Sequence, residues 1–301
     1  MTYIIEKANI LKGQQLYKAS LLIDKGQISS INHCFKRYNF MRMNVEPYIM
    51  TPTPILLKRK FPLEKSFSDL KKYFIEEFIS KGCTAFLTTT NIHQEQELNT
   101  ELKRLKTKLL NSPIDYVIGV EISVQNLTQT FLRKCKREKV PAIFVQIEHI
   151  DDLYRIPWGW IREAMFPYNS PLIPLFRGKS ERENKHTKLH WKKLMENEKI
   201  PFIADELAED TPLSYSVLAK IGIFPFKGNI QQGQELSYNL YSMDQTNRMF
   251  EENELFHYHK SKLVVTVHKG DVIKANNYVL FRPGFGEHVK IKTPSYLKIE
   301  A

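Results

Sequence analysis

Hydrophobic and polar positions change rhythm twice along the chain. Near the start, apolar runs at 3–6, 9–11, 21–24 and 28–31 alternate with polar positions and are broken by Gly13 and by Asp24-Lys25-Gly26. This is the pattern of short strands joined by tight turns, and it predicts a small sheet. From Tyr48 the pattern becomes apolar strand cores, each followed by a helical segment: PILL (54–57), TAFLTTT (84–90), DYVIGVEI (115–122), AIFVQIE (142–148), PLIPLF (171–176) and PFIADEL (201–207). Alternating strands and helices imply a parallel sheet with crossover helices, hence an α/β barrel or its remnant. After Lys227 strands return in KLVVTVHKG (262–270), DVIKANNYVLF (271–281) and HVKIK (288–292), and the two terminal sheet segments are expected to pair. The polar stretch 243–259 reads as loop or irregular helix.

Composition narrows the function classes. A 42% hydrophobic share over 301 residues can bury a substantial core. Cys34, Cys83 and Cys135 lie far apart without paired spacing, which argues against a disulfide framework or a cysteine zinc cluster and favours a reducing cytoplasm. No stretch approaches the ~20 apolar residues that span a bilayer, and no basic-then-apolar leader opens the sequence, so a soluble cytoplasmic chain is expected. The 44 Lys+Arg against 33 Asp+Glu give +11, concentrated in 101–110, 131–139 and 185–194 at helical spacing. These segments read as solvated helix faces. A nucleic-acid or acidic surface would instead require Lys103, Arg104, Lys134, Lys136, Lys188 and Lys192 to converge on one face.

Several constellations carry little chemistry. His186 and His190 share a helix face at i, i+4, but Lys185, Lys188, Lys192 and Lys193 surround them and they read as exposed helix histidines. His257 and His259 form an isolated pair after the barrel. Cys83 reads as buried, and the basic neighbours that could lower the Cys135 thiol read as a solvated helix face. Gly284-Phe285-Gly286 sits in a turn between strands, so it is no phosphate loop.

Four strings, in order, resemble the dihydroorotase, allantoinase and hydantoinase branch of the amidohydrolase superfamily. Residues 8–32 (ANILKGQQLYKASLLIDKGQISSIN) resemble its opening strands and hairpin, and FISKGCTAFLTTTN (78–91) a helix and strand ending "G-G-V-T-T-x-x-D-M-P-N". Residues 173–211 resemble the seventh and eighth barrel units, with Arg177, Leu189, Trp191 and Asp205 in matching places. LAKIGIFPFKGNIQQGQE (218–235) and the segment 264–291 resemble the closing pieces. The resemblance implies a shortened or distorted (β/α) barrel of amidohydrolase type, residues 50–227, with a small β-sandwich domain built from both termini, residues 1–49 plus 228–301.

Active members of that branch resemble one another in holding one or two divalent metals at the barrel mouth. Their ligands are a His-x-His pair after strand one, a carboxylated lysine on strand four, histidines on strands five and six, and an aspartate on strand eight. The metals polarise the amide and acidify a bridging water, and the aspartate shuttles its proton. In PTPILLKRKF (52–61) Lys58 and Lys60 stand where the histidines belong. An ammonium has no lone pair to donate and repels a divalent ion. AIFVQIE offers Gln146 and Glu148 but no lysine, and 149–170 is too short for the two units that carry the further histidines. Asp205 alone matches, with a second register placing Ala204 and Glu206 at a strand-five His and Glu; neither register restores a ligand set.

The reading is therefore a noncatalytic, metal-free and cofactor-free protein acting through protein or ligand binding, with a homo-oligomer or protein partner. Nucleic acid and a membrane span are not expected. Lys58, Lys60, Asn91, Glu121, Gln146, Arg177 and Asp205 are candidate ligand-binding residues at the mouth, Asp205 being expected to pair with Lys58 or Lys60. The enzymatic alternative is a metal-free hydrolase of cyclic amide or ureide C–N bonds using Asp205, Glu148 and Lys58.

Overall fold

Period-two patterning builds the first sheet. In the computed structural model, which describes residues 1–62, 64–243 and 251–294, β1 (Thr2–Lys12), β2 (Gln15–Asp24) and β3 (Gln27–Asn32) form an antiparallel meander. The turn between β2 and β3 has positive φ at both Lys25 (48°) and Gly26 (76°), the geometry that matches the twist of the flanking strands. The runs at 3–6 and 9–11, expected as two strands, are one strand bulged between Ile5 and Ala8. β4 (Met41–Asn44) and β5 (Tyr48–Pro52) run parallel to β1 along its other edge. Buried Asn9 fixes the turn between them, its Nδ2 donating to the Glu46 carbonyl at 2.8 Å and the Tyr48 carbonyl at 3.1 Å.

The chain then enters a second sheet. β6 (Ile55–Lys58), α1 (Phe67–Glu77), β7 (Ala85–Ile92), α2 (Leu98–Lys108), β8 (Asp115–Ser123), α3 (Gln129–Arg137), β9 (Ile143–Ile147), α4 (Ile150–Tyr154), α5 (Trp158–Met165) and β10 (Leu172–Phe176) alternate as the apolar rhythm predicts. The five strands are parallel and lie in sequence order. Their C-terminal ends define a mouth and their N-terminal ends a base. α6 (Glu181–Asn197) follows, opened by a reciprocal Ser180–Glu183 capping box.

Alternate residues of each strand separate two cores. Leu56, Phe86, Ile118, Ile143 and Leu172 face helices α1 to α6, where Trp191 is fully buried and donates its indole N–H to the Ile203 carbonyl at 3.1 Å. Ile55, Leu57, Leu87, Val117, Phe144, Ile173 and Leu175 face the other way, onto Ile203, Leu213, Ile223 and Ile291. The space a barrel would enclose is thus filled by apolar side chains.

The segment 201–207, expected as a further barrel strand, is not one. Phe202 makes an isolated bridge to Leu172 on β10, and the chain then crosses to β6, where Pro212 bridges Leu56 and Leu213 N–H donates to the Ile55 carbonyl at 2.9 Å. One irregular segment therefore joins the two free edges of the parallel sheet. α7 (Tyr215–Ile221) follows, then β11 (Tyr238–Ser242), α8 (Glu252–Tyr258), β12 (Leu263–His268), β13 (Asp271–Ala275) and β14 (Tyr278–Val279). β11 pairs antiparallel with β5, uniting both ends of the chain in a nine-stranded mixed sheet. Of the stretch 243–259, residues 244–250 lie outside the described residues, and α8 occupies most of the rest.

HVKIK is likewise no strand. Because β9 pairs with β8 only from Val120 onward, the first residues of β8 have an open edge, and 287–289 fills it through Tyr116 N–H to the Glu287 carbonyl and Val289 N–H to the Tyr116 carbonyl, both 2.9 Å. A Cβ on Gly286 would sit 1.9 Å from the Ile114 carbonyl oxygen, so the second glycine of Gly-Phe-Gly permits this close approach.

Candidate functional site

β6 carries Lys58 to the mouth. Its side chain is only 11% exposed, packs 5.9 Å from the Tyr73 ring centroid, and its ammonium pairs with Asp210 and, at 3.3 Å, with Glu77. Burial pulls the Lys58 pKa down, but the hydrogen bond and charge of Asp210 outweigh it, helped by Tyr73 and Glu77, so it stands above the ordinary lysine value. Beside it Arg59 pairs with Glu209 at 2.9 Å and Glu206 at 3.8 Å, while Arg177, after β10, reaches Glu206 at 3.3 Å. Glu206 also accepts the Phe176 N–H at 3.4 Å. The segment that replaces the expected strand thus lays three carboxylates across the mouth, each on a cation from a strand end.

The other expected residues divide. Gln146 donates to Glu121 at 2.7 Å between neighbouring strand ends, and exposed Asn91 lies 3.4 Å from the His93 ring nitrogen. Lys60 and Glu148 are exposed. Asp205 corrects the expectation: it is 64% exposed and pairs with Lys188 of α6, because the chain turns outward after the Phe202 bridge and delivers Glu206 and Asp210 inward instead. Asp205, Glu148 and Lys58 therefore share no contact. Of the basic residues, Arg104 pairs with Glu64 and Glu101, Lys134 with Glu95, and Lys136 donates to the Ala164 and Phe166 carbonyls. His186 and His190 sit with ring centroids 4.3 Å apart on α6, and Cys135 is buried, which pushes its thiol pKa well up.

A second charge cluster lies at the opposite end, and the sequence reading missed it. Asp115, the first residue of β8, is fully buried; its carboxylate receives Lys227, Lys269 at 2.8 Å and the Glu287 N–H at 2.8 Å. Lys227 also pairs with Glu235 at 2.5 Å, and His268 Nε2 lies 3.7 Å from Asp115. Burial raises the Asp115 pKa, but the charges of Lys227 and His268 and the lysine hydrogen bonds outweigh it and hold it below the ordinary value. Burial drives His268 down to about 4. A charged residue opening or ending an apolar strand core, as in DYVIGVEI and LVVTVHKG, was the available signal.

The donor sets decide the fit of a metal. At the mouth the strand-one position presents Lys58, an ammonium already neutralised, and strand four presents Gln146, so the residues present do not fit the divalent site the resemblance implies. Among the described residues, Asp115, Glu235 and His268 bring ligand atoms within 4.8 Å of one another. Two lysine ammoniums already occupy that cluster, and an ion would have to displace both.

This architecture, a parallel sheet packed by α1 to α6 on one face and joined to a mixed sheet from both chain ends, is similar to that of several solved structures. The chain is similar to a structure of D-hydantoinase (TM-score 0.70, 12% identity, covering 98% of this chain and 100% of the other) and to dihydropyrimidinase from Brevibacillus agri NCHU1002 (TM-score 0.61, 12% identity, 97% and 99%). It is also similar to a prolidase complexed with N-methylphosphonate-L-proline (TM-score 0.54, 8% identity, 91% and 100%). At these identities the likeness concerns the fold. No protein-family model matches the chain, and no curated protein matches it. Among the described residues, no helix is long and apolar enough to cross a membrane.

Proposed function

We propose that this chain is a noncatalytic protein of amidohydrolase-like fold that acts by binding a protein partner, another copy of itself or a small ligand. The observation that carries the reading is the state of the mouth: Lys58, Arg59 and Arg177 are each held by carboxylates of the chain's own 206–210 segment. A hydrolytic site needs a nucleophile or an activated water beside groups that can stabilise developing charge. Here Lys58, Arg59 and Arg177, which could serve an oxyanion, are neutralised, and Asp205 pairs with Lys188.

The test combines elemental analysis of the purified full chain with hydrolysis assays on hydantoin, dihydroorotate and allantoin, with and without added zinc. The expected result is metal far below one ion per chain and no turnover. Stoichiometric metal with turnover would overturn the proposal, as would metal-independent turnover abolished by Asp205→Ala. Sedimentation of the same sample separates self-association from a foreign partner.

A further inference from the structure

A cavity of about 260 Å³ lies between the mixed sheet and the outer edge of β6, and none of Lys58, Arg59 or Arg177 lines it. Its walls are the 51–55 crossover, Pro212 and Leu213 from the segment that closes the parallel sheet, Tyr241 of β11 and Phe256 of α8. Much of this lining is apolar, and the prolines bring no N–H into it. Two carboxylates interrupt it: exposed Glu251, which accepts from the Gln14 side chain at 2.7 Å, and the more deeply set Glu252. Glu252 accepts the Gly13 N–H at 2.9 Å and the Tyr215 hydroxyl at 2.8 Å, and among the described residues no lysine or arginine forms an ion pair with it.

The nearby cation, Lys12, acts on Glu252 through its charge but makes no ion pair with it. Lys12 rests on aromatic faces, 5.4 Å from the Phe224 centroid and 6.0 Å from that of Tyr215. Burial pushes the Glu252 carboxyl above its ordinary value despite these hydrogen bonds and the charge of Lys12, which acts on it without forming an ion pair. Charges set into a protein are ordinarily paired, and a cavity beside a half-buried carboxylate that has no ion pair among the described residues leaves room for a cationic partner.

We infer that this cavity is a binding site for a small organic cation, an ammonium or amidinium on a compact apolar body, with Glu252 as its counter-ion. The volume suits one ring or a short branched chain, Tyr241 and Phe256 offer aromatic contact, and Tyr215 holds the carboxylate in place. The inference goes beyond the proposed function and does not depend on it, since none of these residues reaches the mouth.

Benzylamine and its uncharged analogue benzyl alcohol are titrated into the full chain by calorimetry. Benzylamine is expected to bind saturably and at least about tenfold more tightly than benzyl alcohol, and Glu252→Gln, which keeps one acceptor oxygen for Gly13 and Tyr215, to lose at least about tenfold in benzylamine affinity. Tyr215→Phe, which removes the competing hydroxyl but leaves the charge, is expected to retain benzylamine binding. Equal affinity for the two probes, unchanged affinity in Glu252→Gln, or no saturable benzylamine binding to the wild-type chain would overturn the inference. Thermal unfolding of both variants shows whether a loss reflects the site or the fold.

Discussion

The two ends of the parallel strands carry similar numbers of charged groups in opposite physical settings. At the mouth, Lys58 and Arg59 meet carboxylates that remain partly in water, and those carboxylates come from an irregular segment. At the base, Asp115 has no exposure and its partners come from outside the parallel sheet, Lys227 before β11 and Lys269 after β12. Partly solvated pairs contribute little to stability, whereas a buried pair is costly to break because removing one partner strands the others. The base is therefore where charge joins the two sheets, and the mouth is where charge only occupies the space in which α/β barrels place their chemistry.

Breaking the base should have the largest effect. Asp115→Ala removes the buried acceptor shared by two ammoniums and the Glu287 N–H, leaving Lys227 only Glu235 and Lys269 only the exposed Glu287, and a loss of up to ~3–5 kcal/mol is expected in equilibrium denaturation. A loss below about 1 kcal/mol, the range of surface pairs, would erase the distinction between the two ends.

Acid should find the same end next. The unfolded chain protonates His268 near its ordinary value of 6.5, whereas the folded chain resists until about 4. Through that window the unfolded state binds more protons, so stability falls as pH drops from about 6.5 to about 4, by up to ~3 kcal/mol. His288, also lowered to about 4, adds in the same direction, while Glu252, raised by burial, acts oppositely, its contribution shrinking as pH rises through its folded value. Asp115, depressed, gives way only below the ordinary carboxylate range. Denaturation at pH 7 and pH 4.5 should show a smaller difference in His268→Leu than in the wild-type chain; an equal difference would remove His268 from the account.

What the sequence revealed follows the same division. Strand cores buried on both faces, such as Phe86-Leu87 and Phe144-Val145, are continuous apolar runs and were readable as parallel strands. The run Pro201-Phe202-Ile203 looks the same locally, but only an edge was available to it, and the carboxylates that follow are drawn to the mouth cations. β11 escaped notice because buried Asn239 interrupts its apolar positions; that side chain donates to the Gly82 carbonyl, a partner 157 residues away that no local pattern reveals. Lys58 was placed correctly on a strand end, yet its partners were misassigned, because the choice between Asp205 and Asp210 depends on which way a loop turns. The Tyr215–Glu252 contact had no signal at all, its acid lying within a polar stretch.

At the mouth the expected effects are smaller. Lys58→Met removes a largely buried ammonium but leaves Glu77 with Lys81 at 2.8 Å and Asp210 about half exposed, so neither carboxylate is stranded away from water. A methionine stem can replace the packing against Tyr73, and the net change in denaturation should stay within about 1 kcal/mol. A loss comparable to that of Asp115→Ala would mean that the mouth, too, is held together by its charges.

Asp205→Ala should have the smallest effect, and it separates inheritance from use. The residue matches the position of a proton-shuttling aspartate by resemblance, yet here it is exposed and paired across to Lys188, which is itself about half exposed. Such a pair is worth ~0–1 kcal/mol and is screened by salt. The substitution should leave the denaturation midpoint nearly unchanged, and the small remaining difference should vanish in high salt. A larger loss that persisted in salt would place Asp205 in a drier, inward-facing arrangement, and the mouth would then have to be described as a site with its acid in place.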